Sequence, residues 1–161
     1  MNIFLILILF ILIIYFLIPS PKKIKTVKPD YSLINKVYFI NLDRSKDRLK
    51  LIKKYSKKAD LKINRFQAFD GAKLNFDQLF KKNIFTDFIY KSKKGMIGCT
   101  YSHIKLWEQI MKEDNQYILI LEDDVIIPKD FWFQFKRFIH QVPKNWDLLY
   151  LGASNIKGKK I

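Results

Sequence analysis

Glu122, Asp123 and Asp124 stand in a row directly after residues 117–121, a run of one tyrosine and four aliphatic residues. Adjacent carboxylates repel one another unless a cation or a buried partner compensates them. In an extended chain Glu122 and Asp124 share one face and Asp123 takes the other. An acid-x-acid pair of that kind can hold one Mg²⁺ or Mn²⁺, with phosphate and water oxygens completing the shell. The same residues also suit an acidic loop that only caps the next helix, and spacing leaves both readings open. A phosphatase built on a strand-Asp-x-Asp motif fits poorly, because Glu122 stands where its nucleophilic aspartate belongs.

The elements that must position these acids follow from hydrophobic patterning. Residues 117–121 are apolar throughout, the pattern of a strand covered on both faces in a parallel sheet. Such a strand delivers its next residues to the carboxyl edge, where open α/β folds bind ligands. Strands are also expected over residues 36–42, 63–69 and 146–152, with Asp70-Gly71 a turn after the second. A helix is expected over residues 46–57, capped by Ser45 or Asp43, with Leu49, Ile52 and Tyr55 inward. A short one follows over residues 75–83, and residues 85–94 read as loop. A long helix over residues 95–113 buries Ile97, Tyr101, Ile104, Trp107 and Met111. After Pro128 and Asp130 a last helix, residues 131–141, turns Phe131, Phe135, Phe138 and Ile139 inward. Strands alternating with helices imply an α/β fold: a mostly parallel sheet covered by helices.

Composition narrows the class. The 161-residue chain is 49% hydrophobic and 16% aromatic, which suits a packed core and argues against disorder. Thirty Lys+Arg oppose fifteen Asp+Glu, for a formal charge of +15. Only Arg44, Arg48, Arg65 and Arg137 are arginines, so the basic excess is weak support for sequence-specific nucleic-acid binding. Lysine faces attracted to anionic membranes or phosphorylated ligands fit better. The single cysteine, Cys99, excludes an intrachain disulfide and any multi-cysteine zinc site, and it reads as a small buried packing residue.

At the amino terminus, residues 3–18 carry no polar group except the Tyr15 hydroxyl. As a helix they span roughly 24 Å, close to the roughly 30 Å hydrocarbon core of a bilayer. No basic region precedes them and no small-residue cleavage site follows, so residues 1–20 are expected to be a retained single-pass transmembrane anchor. Residues 21–35, rich in proline and lysine, read as a stalk, and their lysines favour the cytosolic side. Residues 36–161 form the expected globular domain.

Four blocks, taken together and in order, resemble glycosyltransferase family 25. They are Val37-Tyr38-Phe39-Ile40-Asn41-Leu42-Asp43-Arg44-Ser45-Lys46-Asp47-Arg48 and Arg65-Phe66-Gln67-Ala68-Phe69-Asp70-Gly71. The third runs from Gly95 through Gly98-Cys99-Thr100-Tyr101-Ser102-His103 to Trp107, and the fourth is Leu121-Glu122-Asp123-Asp124. The family includes bacterial lipopolysaccharide galactosyl- and glucosyltransferases and animal procollagen galactosyltransferases.

The resemblance implies a GT-A fold, Rossmann-like, binding a nucleotide-sugar donor, a UDP-sugar, with Mn²⁺ (or Mg²⁺) at the acidic motif. It implies inverting transfer of a hexose, galactose or glucose, to a glycan, lipid-linked or protein acceptor. Glu122 and Asp124 become ligands of the metal or donor phosphate, with Asp123 the alternative for either. Asn41, Asp43, Arg44 and Arg48 fall where such folds seat the nucleotide, and an arginine there can pair with pyrophosphate. Against this stands a plain salt-bridge cluster at a helix start. Asp70 matches the family beside its turn role. Ser102 and His103 fall near the amino end of the long helix, which favours phosphate; a lone helical histidine is otherwise a satisfied core residue. Trp107 reads as core and His140 as surface.

Family domains continue past the strand ending at Gly152, and the base that deprotonates the acceptor is expected beyond Ile161, so no catalytic residue is assigned. A non-catalytic, transferase-like binding or assembly module is the alternative function.

Overall fold

A computed structural model describes residues 30, 33–81, 93–113, 117–143 and 145–152. The expected anchor, most of the stalk and residues 85–92 of the expected loop lie outside the described residues. Among the described residues no helix is long and apolar enough to cross a membrane.

Among the described residues three strands, β1 (Lys36–Asn41), β2 (Asn64–Gln67) and β3 (Ile118–Glu122), form a parallel sheet in the order β2-β1-β3. Tyr38 pairs with Asn64 on one side and Ile120 on the other, and Ile40 pairs with Glu122. Among the described residues four helices accompany them: α1 (Lys46–Lys58), α2 (Phe76–Lys81), α3 (Lys94–Ile110) and α4 (Phe131–Ile139). A 3₁₀ turn, Gly71–Lys73, follows β2.

Alternation along β1 explains the layering. Val37 and Phe39 face Ile52 of α1 and Trp132 and Phe135 of α4. Tyr38 and Ile40 face the other way, onto Leu106 of α3. The central strand is thus buried on both faces, as a parallel sheet requires. Each fully buried Phe39, Ile52 or Leu106 contributes about 1.5–3 kcal/mol by leaving water.

From β1 the chain runs through α1 to β2 on one side, then through α3 to β3 on the other. The direction of winding reverses at β1, and α1 and α3 cover opposite faces. A crevice opens outside the carboxyl ends of neighbouring strands at such a reversal. Here those strands are β1 and β3, which end at Asn41 and Glu122.

Several expectations are corrected. Residues 146–152 join no strand ladder; Leu148, Tyr150 and Leu151 are exposed. An apolar run is held as a strand only when paired and covered, and this one is tethered by Trp146 stacking on Tyr117. β3 is half-buried rather than sealed on both faces, and Tyr117 lies outside it. On α3 the inward residues are Ile97, Gly98, Ser102 and Leu106, whereas Trp107 is 49% and Met111 78% exposed. On α4 Phe138 is exposed and Trp132 takes its place in the core, its indole Nε1 donating to the Asp60 carbonyl. Within residues 21–35, Ile34 is buried, and Asn35 exchanges hydrogen bonds with Tyr117 just before β3.

Candidate active site

Because all three strands run the same way, their carboxyl ends lie along one edge, and chemically capable residues collect there. β1 delivers Asn41, Asp43 and Arg44; β2 delivers Gln67 and Asp70; β3 delivers Glu122, Asp123 and Asp124. The first turn of α1 adds Arg48, and α3 adds Cys99 and His103.

The acids separate instead of pairing by alternation. A turn begins at Asp123, so extended geometry ends with Glu122. Asp123 is 8% exposed and both its oxygens are engaged. Oδ2 accepts from Asn41 Nδ2 at 2.7 Å, and Oδ1 accepts from Arg48 at 3.0 Å. Asp124 is on the same side, 3.2 Å from Arg48, and its side chain is 59% exposed. Glu122 turns the other way, to His103 Nε2 at 2.8 Å. The expectation that Glu122 and Asp124 share a face therefore gives way to a pairing of Asp123 with Asp124 through one guanidinium.

Charge follows geometry. The hydrogen bond from His103 holds the Glu122 carboxyl below its usual range against the opposing effect of burial. Asp123 raises the Arg48 guanidinium further, and the charge of Asp124 adds to the effect. Burial pushes the Cys99 thiol up, and neighbouring Glu122 pushes it the same way.

Asn41 ties neighbouring elements together. It is 1% exposed, its Nδ2 also reaches the Ser45 carbonyl, and its Oδ1 accepts from Arg65. Asp43 does not cap α1, because its carboxylate accepts from Arg65 at 2.7 Å and Gln67 at 2.6 Å. Arg65 holds it below the ordinary aspartate range. Ser45 occupies the cap position without a side-chain bond. Arg44 pairs with Asp70, whose other oxygen accepts from Ala72 and starts the 3₁₀ turn. The salt-bridge reading is thus present at β1, while Arg44 and Arg48, 62% and 54% exposed, still face solvent.

Ser102 is fully buried, donating to the Gly98 carbonyl at 2.6 Å and accepting from the Phe69 amide at 2.8 Å. It pins the loop after β2 to α3 and has no hydroxyl valence to spare for a phosphate. The helix starts at Lys94, so Ser102 and His103 lie two turns inside it, beyond reach of its terminal dipole. Glycines explain the close docking there. A Cβ on Gly98 would stand 2.5 Å from the Gly71 nitrogen, and one on Gly71 would strike the Lys94 carbonyl. Cys99, expected in the core, is exposed beside Glu122 instead.

As ligands for a hard divalent cation these residues fit in part. Asp123 is committed to Asn41 and Arg48, so it supports the edge without offering a free oxygen. Glu122 and Asp124 are oxygen donors partly open to solvent at the carboxyl edge. Sequence reasoning missed Arg65 and Gln67 as organisers of the edge. Their signal was alternation on β2, which sends both toward Asp43.

Residues 34–159 match the model for glycosyltransferase family 25 (LPS biosynthesis protein). The chain belongs to that family. It is 28% identical over 143 residues to procollagen galactosyltransferase 2 of Mus musculus, covering 82% of this chain and 23% of the relative. It is 27% identical over 150 residues to a glycosyltransferase 25 family member of Drosophila pseudoobscura pseudoobscura, covering 88% and 23%. It is 26% identical over 145 residues to human inactive glycosyltransferase 25 family member 3, covering 83% and 24%. This family 25 chain therefore spans about a quarter of the length of these relatives. No solved structure matches it.

Proposed function

We propose that this chain binds the nucleotide-sugar donor of a metal-dependent, inverting hexosyltransferase with a GT-A fold. The observation that carries the reading is that Glu122, Asp124, Arg44 and Arg48 all stand, partly exposed, at the carboxyl edge of the parallel sheet. Membership of family 25, and the galactosyltransferase name of a relative, supply the direction of the chemistry.

In this reading Glu122 and Asp124 would hold Mn²⁺ or Mg²⁺, which requires Glu122 to turn away from His103. A cation held there would supply positive charge against the departing nucleoside diphosphate, here uridine diphosphate. Arg48 exchanges its exposed contact with Asp124 for a phosphate oxygen while keeping Asp123, and Arg44 offers a second guanidinium nearby. Asn41, Asp123, Arg65 and Ser102 hold the edge rigid so that these groups need not reorganise. The hexose, galactose or glucose, passes to a glycan, lipid-linked or protein hydroxyl. The base that takes the hydroxyl proton is assigned to none of the described residues. The apolar run at residues 3–18 supports attachment of the chain to a membrane.

Calorimetric titration of the chain with a uridine diphosphate hexose, with and without Mn²⁺, tests the reading. Binding that needs the metal and drops at least about tenfold in Asp124→Ala is expected. Metal-independent binding, or an unchanged Asp124→Ala, would overturn it. A non-catalytic binding module is the second reading, favoured by the inactive human relative. It predicts donor binding without transfer to any acceptor.

A further inference from the structure

Cys99, His103 and Glu122 bring a sulfur, a nitrogen and an oxygen ligand atom to within 4.8 Å of one another. The helix supplies two of them: residues four apart on α3 lie on one face, one turn above the other. The strand supplies the third, because Glu122 ends β3 directly opposite that face. Cys99 Sγ is 3.8 Å from Glu122 Oε1, and His103 Nε2 is 2.8 Å from the same oxygen. In a tetrahedral zinc site, bond lengths near 2.0–2.3 Å place ligand atoms about 3.3–3.6 Å apart. Modest side-chain rotations therefore convert the observed arrangement into a coordinating one.

We propose that Cys99, His103 and Glu122 form a binding site for a thiophilic divalent cation of the Zn²⁺ class. Donor chemistry sets the class: thiolate and imidazole favour Zn²⁺, whereas Mn²⁺ and Mg²⁺ prefer carboxylate and water oxygens. Binding displaces the Cys99 thiol proton to solvent and the His103 hydrogen bond to Glu122, with no change of oxidation state. Three protein ligands leave a fourth tetrahedral position for water or an anionic oxygen. The site does not depend on the donor-binding reading, since it needs neither Asp124 nor a nucleotide. The two sites share Glu122, so occupation by Zn²⁺ withdraws that carboxylate from the hard cation.

Co²⁺ is the probe, because thiolate ligation gives a near-ultraviolet charge-transfer absorption that oxygen and nitrogen ligands do not. Titrating the full chain with Co²⁺ alone should raise this absorption to saturation at about one equivalent, and Zn²⁺ should abolish it. Cys99→Ser should lose the charge-transfer band outright. His103→Ala and Glu122→Gln should each weaken binding at least about tenfold, while His140→Ala should match the parent. Circular dichroism checks that each variant is folded. Asp124→Ala should leave the cobalt signal intact even where it abolishes nucleotide binding, which separates the two proposals. No charge-transfer band in the parent chain, or an undiminished one in Cys99→Ser, overturns the site.

Discussion

The Asn41 carboxamide donates from Nδ2 to Asp123 Oδ2 across 2.7 Å, joining the last residue of β1 to the first residue beyond β3. Both residues are buried, so the bond is made where a lost partner is costly. Asn41→Ala leaves Asp123 with Arg48 as its remaining partner and also orphans the Arg65 bond. A loss of about 1–3 kcal/mol is expected. Urea denaturation of the two proteins measures it. An unchanged midpoint and slope would mean that the strand ends are held by something else.

Gly98 poses a contest between helix propensity and space. Alanine is favoured over glycine in a helix by about 1 kcal/mol. A Cβ at Gly98, however, would stand 2.5 Å from the Gly71 nitrogen and 2.7 Å from the Phe69 carbonyl oxygen, both backbone atoms that cannot swing aside. Overpacking of this kind costs typically about 1–3 kcal/mol, and here it forces α3 away from β2. Gly98→Ala should therefore destabilise the fold. Gly95→Ala is the control: nothing lies within 4 Å of its Cβ, so thermal unfolding should be unchanged or slightly raised. Equal midpoints for the two variants would contradict the close contact.

The layered parallel sheet was legible because long apolar runs and their spacing report burial directly. Strand β1, helix α1 and the emergence of three acids at the end of β3 all follow from such patterns. The phase of α3 was not legible. Pattern reading favours large apolar residues, so Trp107 and Met111 were placed inward, while the packed face is made by Gly98, Ser102 and Leu106. Small and polar groups do that work because the backbone of the Asp70-Gly71 turn comes too close for anything larger. At the site, residue types were readable but their partners were not. That Asn41 and Arg48 would claim Asp123 depends on a crossover of 82 residues between the first pair, which local sequence does not encode. The run at residues 146–152 shows the converse: apolar composition without a hydrogen-bonded neighbouring strand does not make a strand.

At the opposite edge of the sheet, Glu113 accepts from the Tyr38 hydroxyl at 2.5 Å and from Lys36 at 2.9 Å. The Tyr38 bond first, and Lys36 second, hold its carboxyl below the ordinary range. A carboxyl depressed in the folded state stabilises the fold above its unfolded value, roughly 4.3. That contribution disappears as the pH falls through the depressed value. The parent should thus exceed Glu113→Gln in stability at neutral pH, with the gap closing in acid below about pH 4. Denaturation curves of both proteins across this range give the comparison. A gap that stays constant with pH would remove ionisation of Glu113 as its origin.

Arg48 touches two aspartates at similar distances, 3.0 Å to Asp123 and 3.2 Å to Asp124, yet the two contacts should differ in strength. Distance alone would make them nearly equal. Exposure separates them: the Asp123 side chain is 9% accessible and Asp124 59%, while Arg48 itself is 54%. Water and salt screen the outer pair, for which a coupling of about 0–0.5 kcal/mol is expected. The inner pair acts on a carboxylate that has lost most of its hydration, and a coupling of about 1–2 kcal/mol is expected there. Double-mutant cycles with Arg48→Ala against Asp123→Ala and Asp124→Ala, read by urea denaturation, measure both. Raising the salt concentration should erase the smaller coupling and leave most of the larger. Equal couplings would mean that Asp123 is solvated after all, and that the guanidinium is not free to exchange its outer contact for a phosphate.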